Sequence, residues 1–120
     1  MFPKIYKTDN IVTLKIDAET NDREYKKISN VFENQISNFG IIRVFLVVDH
    51  YPSLNSAESL YYDLRVIKVY ARQIEKIAVV CDKAWKKTWI ALFGLFAKIR
   101  IETSDKSEYK NAWKWISGDS

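Results

Sequence analysis

"IIRVFLVVD", residues 41–49, decides the fold. The stretch is nearly continuous β-branched and apolar sequence. A strand with one wet face alternates apolar and polar residues, whereas a strand covered on both faces has no polar side to show. Residues 41–49 are of the second kind and predict an inner strand. "KIAVVC", residues 76–81, repeats the pattern and predicts a second one. Before the first of these lies "TNDREYKKISNVFENQISNFG", residues 20–40, which reads as a helix. Asn21 followed by Glu24 makes a capping box at its start, and Gly40 is a natural stop. Its Tyr25, Ile28, Val31, Phe32, Ile36 and Phe39 keep helical spacing and are expected to face the core.

Further outward, "IVTLKIDA" at 11–18 alternates as a half-buried strand does, and "KIYK" at 4–7 reads as its short partner across a turn at Thr8–Asn10. "HYPSLNS" at 50–56 is a loop, after which a second helix is expected from Ala57 to Gln73. Asp82 can cap a third helix carrying "WKKTWIALFGLFAKIRI", residues 85–101. "KIRIET" at 98–103 is a short strand. "SDKSEYKNAWKWIS" at 104–117 is a last helix capped by Ser104 or Asp105, with Tyr109, Ala112, Trp113 and Ile116 on one side and Trp115 on the flank. The order β-β-α-β-α-β-α-β-α predicts one α/β domain over residues 1–120, with a mostly parallel mixed sheet packed with helices and one antiparallel strand near the start.

Size and composition agree with that. A chain of 120 residues is expected to bury about two-thirds of its unfolded surface. Apolar residues make up 48% and charged residues 28%, and glycine and proline are scarce, which argues against disorder and against turn-rich all-β folds. Cys81 stands alone, so no internal disulfide can form and a reducing compartment is the simpler expectation. The start, "MFPKIYKTDN", has no apolar signal region, and the run Trp89–Ala97 is about half the ~20 residues a membrane span needs. The expected location is the cytoplasm, with peripheral contact at the inner membrane as an extension. Charge is uneven: Arg65 to Arg100 holds nine basic residues and two acids, against a net charge of +4 for the chain. Such a segment is either a set of solvated faces or a surface for an anionic partner.

The order of elements and three stretches together resemble the SpoIIAA-like branch of the STAS superfamily, the fold of the sporulation anti-sigma-factor antagonist. The stretches are "YYDLRVIKVYARQIEKIAVVCD" at 61–82, "AWKKTWIALFGLF" at 84–96 with its Leu-Phe-Gly step at Leu92–Gly94, and "AWKWI" at 112–116. The resemblance implies a small bacterial cytosolic domain, often dimeric, in a fold related to lipid-transfer domains and in some cases thought to bind apolar ligands or membranes between mobile helices. Regulatory members carry an Asp-Ser-Ser-Gly type phosphorylation turn before the second helix. Here the corresponding stretch is "NSAES", with Asn55 for the aspartate and no glycine, so Ser56 is either a modification site or simply a helix cap.

The two middle helices hold more apolar surface than a sheet can cover. On the second, Leu60, Leu64, Ile67, Ala71 and Ile74 share the face expected on the sheet, while Arg65, Lys68 and Arg72 form a basic stripe. Tyr62, Val66 and Val69 make a second apolar stripe on the far side. On the third, Trp85, Trp89, Leu92 and Phe96 share a face, leaving Ile90, Ala91, Phe93 and Leu95 elsewhere. Helix packing and a homodimer contact would cover the surplus. A pocket for a lipid or other apolar or amphipathic ligand, lined by Tyr62, Val66, Val69, Trp89, Ile90 and Phe93, is the more specific expectation. Lys83, Lys86 and Lys87 beside the tryptophans suit phosphate contact at a membrane surface.

Catalytic signatures are missing from the sequence. His50 is the sole histidine, beside Asp49, and is expected to be a loop residue with no metal site. There is no Gly-x-Ser-x-Gly elbow, P-loop or dinucleotide fingerprint. Cys81 is expected to be structural and buried. Aromatic and basic residues interleave in the third helix, but at core spacing, so nucleic acid is not favoured. The expectation is a non-enzymatic binding domain without cofactor, with a STAS-type regulatory protein-interaction module as the alternative.

Overall fold

The computed structural model describes residues 4–16, 22–48, 67–82 and 99–118. They contain five strands, β1 (Lys4–Thr8), β2 (Ile11–Ile16), β3 (Ile42–Val48), β4 (Ile74–Val80) and β5 (Arg100–Ser104), in one sheet of order β1-β2-β3-β4-β5. β1 pairs antiparallel with β2, and every later neighbour is parallel. The predicted α/β fold with a mostly parallel mixed sheet is therefore the observed one. Helix α1 (Asp22–Phe39) connects β2 to β3, and a C-terminal helix (Tyr109–Ser117) follows β5 through a 3-10 turn at Lys106–Glu108. The third predicted helix and most of the second lie outside the described residues.

The register assigns the two sheet faces. Val44, Leu46 and Val48 of β3 stand level with Ile77 and Val79 of β4 and with Val12 and Leu14 of β2. They form one buried cluster with Ile28 and Phe32 of α1, and with Ile67 and Ile99. Phe45, Val47, Ala78 and Val80 point to the other face, where they meet Ala112 and Ile116 of the C-terminal helix. That helix seats its rings edge-on: Tyr109 and Trp113 stand 5.2 and 5.3 Å from the Phe45 ring. Every apolar residue of β3 and β4 is buried, as their unbroken apolar sequence requires. Each large side chain so buried contributes about 1.5–3 kcal/mol.

The chain reverses where its sequence provides for it. A two-residue turn, Asp9–Asn10, joins β1 to β2, and Asp9 takes a positive φ of 51°, a conformation that aspartate tolerates better than most residues. The turn is tied down on both sides. Gln35 of α1 donates to the Asp9 carbonyl at 2.7 Å, and the Arg43 amide donates to the Asn10 carbonyl at 2.9 Å. Gly40 ends α1 at φ +79°, its amide bonded to the Ile36 carbonyl at 2.7 Å, which is the single-bond left-handed helix stop.

Several expectations need correction. Phe39, placed in the core by periodicity, is 50% exposed. Helix α1 has 18 residues, about 27 Å, whereas β3 has seven, about 23 Å. The helix is longer than the strand it precedes, and while Ile36 still packs against the core, Phe39 at its last position does not. Gln35, an amide not assigned to the core, is buried because it serves the hairpin. The second helix was expected to run to Gln73, but helix ends at residue 69 and Ala71–Gln73 form a 3-10 turn. Ile74 accordingly belongs to β4 and not to a helix face. The last helix begins later than predicted: Asp105 and Glu108 bracket the 3-10 turn, and Tyr109 is the first α-helical residue. Tyr109 keeps its ring on Phe45 yet stays 46% exposed.

Candidate binding site

Of the residues expected to line a ligand pocket, Val69 alone falls among those described. Tyr62, Val66, Trp89, Ile90 and Phe93 lie outside them, as do Lys83, Lys86, Lys87, Ser56, Asp49 and His50. What the fold supplies is the position of the flanks. Residues 49–66 leave the C-terminal end of β3, and residues 83–98 follow the end of β4. These strands are adjacent and parallel, so the two segments start side by side. The first described residues after them, Ile67 and Ile99, are both buried in the core cluster that includes Ile28 and Phe32 of α1.

The described end of the second helix matches its predicted wheel: Ile67 is buried and Lys68 is exposed. Arg72, in the 3-10 turn beyond it, is exposed as well. Val69 of the far apolar stripe is 61% exposed. Tyr70 turns inward: its ring lies 5.7 Å from Phe32, and its hydroxyl donates to Glu33 at 2.8 Å. This contact fixes the helix end against α1 and so fixes which way Val69 faces.

On the opposite face, sequence reasoning missed a charged group at the start of the parallel strands. β4 carries one residue more than β3 between the pairs Ile42–Ile74 and Arg43–Lys76, and Glu75 is that extra residue. Its carboxylate accepts from Arg43 Nε at 3.1 Å and pairs with Arg100 at 3.6 Å. Arg43 also donates to the carbonyls of Ile116, at 2.8 Å, and of Gly118. Lys76 is fully buried, its ammonium 3.4 Å from the Trp115 carbonyl and 5.1 Å above the Trp115 ring. These cations hold the carbonyl end of the C-terminal helix, where the helix dipole favours positive charge. Of the nine basic residues counted between Arg65 and Arg100, Lys76 is therefore internal and Arg100 is paired. The available signal was a charge inside each buried strand at the same register, Arg43 opposite Lys76.

Other candidates resolve into structural roles. Cys81 is buried in the core, and its amide donates to the Ser104 carbonyl at 3.1 Å. Asp82 is exposed and pairs with Lys106 at 3.4 Å. Among the described residues no group of three or more histidine, cysteine, aspartate or glutamate side chains could hold a metal ion, and no helix is long and apolar enough to cross a membrane.

A comparison with curated proteins finds no match. The SpoIIAA-like family model, in contrast, matches residues 11–117, from the first residue of β2 to the last of the C-terminal helix. Strand order, helix placement and this match over nearly the whole sequence agree: the chain belongs to the SpoIIAA-like family, a branch of the STAS superfamily.

Proposed function

We propose that the protein is a non-catalytic STAS-type binding domain that takes an apolar or amphipathic ligand between its second and third helices. The observation that carries this reading is Val69. An apolar side chain stands 61% exposed between two exposed cations, Lys68 and Arg72, on a helix end that Tyr70 fixes in place. Apolar surface flanked by cations suits a ligand with a hydrocarbon body and an anionic head. Tyr62 and Val66 extend the Val69 stripe in sequence, and Trp89, Ile90 and Phe93 supply the facing wall. Lys83, Lys86 and Lys87 would meet the anionic head or a membrane surface carrying it. A homodimer seam over the same stripe is compatible with this, since a seam can enclose a ligand.

Native mass spectrometry of the purified protein, before and after organic extraction, tests the proposal. The expected result is a bound small molecule that extraction removes. Exchange of Val69 and Phe93 for glutamate is expected to abolish its retention. Recovery of unliganded protein from a lipid-rich lysate, together with no uptake of added fatty acid or lysophospholipid, would overturn it.

The second reading is a regulatory protein-interaction module, favoured by the family to which the chain belongs. It predicts that Ser56→Asp and Ser56→Ala differ in the partner they retain from host lysate. Identical retention by both variants argues against a switch at that serine.

A further inference from the structure

We infer that the open half of the sheet face beside the C-terminal helix binds single-stranded nucleic acid. Tyr6, Thr13 and Phe45 are register partners across β1, β2 and β3, so their side chains share one face. Ile5 packs into the cluster on the α1 side, which turns its neighbour Tyr6 to the side of Phe45 and the C-terminal helix. That helix packs on β3, β4 and β5. Next to it, on β1 and β2, the same face carries Tyr6, Thr13 and Lys15, and none of the three is buried. Tyr6 stands 52% exposed on one side of Thr13. On the other side Tyr109, 46% exposed, sits with its ring 5.2 Å from that of Phe45. β1 and β3 are two strand spacings apart, about 10 Å, so the two tyrosines border a strip one strand wide.

The strip is positively charged. Trp113 reaches Phe45 on β3 while Trp115 reaches Lys76 on β4, which fixes the rotation of the C-terminal helix about its own axis. At 100° per residue, Lys110 and Lys114 then fall beyond Trp113, on the flank toward β2. Both are exposed, and neither enters an ion pair among the described residues. Lys15 stands level with Val47 on the same face. β1, β2 and the C-terminal helix, the three elements that border the strip, contain no acidic residue. Such a border selects an anionic occupant, and two half-exposed rings favour one with planar groups to stack on them. Phosphates joined to unstacked bases supply both, and aromatic rings on a sheet beside lysines hold single strands in this way. An acidic peptide would satisfy the lysines and leave the rings without a stacking partner. The third helix interleaves basic and aromatic residues at core spacing, whereas the rings here lie on the surface. The strip is on the sheet face opposite the cluster that buries Ile67, and it shares no residue with the proposed ligand site.

Fluorescence anisotropy with short labelled oligo-dT and oligo-U tests the inference. Wild-type protein is expected to bind at least one of them, and less tightly as salt rises. Tyr6→Ala is expected to bind about tenfold more weakly, while Tyr6→Phe, which keeps the ring, stays near wild type. The double variant Lys110→Gln, Lys114→Gln is expected to lose about tenfold and to show a shallower salt dependence. As a second readout, ultraviolet cross-linking to oligo-U followed by peptide mass spectrometry is expected to mark Tyr6 or Tyr109. Any of five results would overturn the inference: no binding of either oligonucleotide at low salt, equal binding of a duplex of the same length, equal displacement by poly-glutamate, unchanged affinity of Tyr6→Ala, or cross-links confined to residues outside the strip.

Discussion

Arg43 is the one charged side chain in a strand otherwise sealed on both faces. It survives there because its Nε donates to the Glu75 carboxylate and one terminal nitrogen donates to the Ile116 and Gly118 carbonyls. Its side chain is 12% exposed, against 55% for Arg100 on the same carboxylate. The two ion pairs are therefore expected to differ in strength. Arg43→Ala should cost about 2–3 kcal/mol in urea unfolding, since it removes charged hydrogen bonds and leaves helix carbonyls buried without a donor. Arg100→Ala should cost less than about 0.5 kcal/mol, because a solvated pair contributes little. Gln35 is a quieter case of the same kind. Gln35→Leu keeps the volume but strands the Asp9 carbonyl, with an expected loss of about 1–2 kcal/mol.

Helix α1 shows what periodicity can and cannot convey. Its apolar spacing turned Ile28, Val31, Phe32 and Ile36 toward the core, because the 3.6-residue repeat follows from backbone geometry alone; Ile28 and Phe32 are buried there, and Val31 and Ile36 pack against it partly covered. Gly40 was legible as a stop for the same local reason, and it occupies the left-handed conformation. A Cβ there would meet nothing within 4 Å, so Gly40→Ala should be destabilising through backbone strain alone, by about 1 kcal/mol, with Gly40→Asn milder. Thermal unfolding of the two variants measures the difference. Phe39 and Gln35 were not legible, because their surroundings depend on where the sheet ends and where a distant hairpin folds back. The candidate site divides in the same way. The outward position of Val69 and the exposure of Lys68 follow from the helical wheel, whereas Arg72 is exposed in the 3-10 turn past the helix end. The burial of Lys76 depends on the C-terminal helix crossing its face, which no local pattern in "KIAVVC" records.

For the molecule as a whole, protection is expected to fall from the middle of the sheet outward. β3 and β4 are buried on both faces, with α1 against β2 and β3 on one side and the C-terminal helix against β3, β4 and β5 on the other. β1 is an edge strand whose Tyr6, Lys7 and Thr8 are exposed. Amide hydrogen exchange should therefore be slowest in Val44–Val47 and Ile77–Val80 and fastest in β1, with the Asp9–Asn10 turn slower than an ordinary loop because Gln35 and Arg43 hold it. Equal exchange in β1 and β4 would contradict this layering.

Spatial order in the sheet is also the order of synthesis. Each strand leaving the ribosome finds its neighbour already made, and no early strand waits for a late one to be slotted in beside it. The exception is the layer over Phe45, Val47, Ala78 and Val80, which is furnished by residues 109–117. Until those residues emerge, the nascent chain carries a greasy sheet surface with two cations at its rim and nothing to seal it. That interval is when this protein is most exposed to aggregation, and most in need of a chaperone.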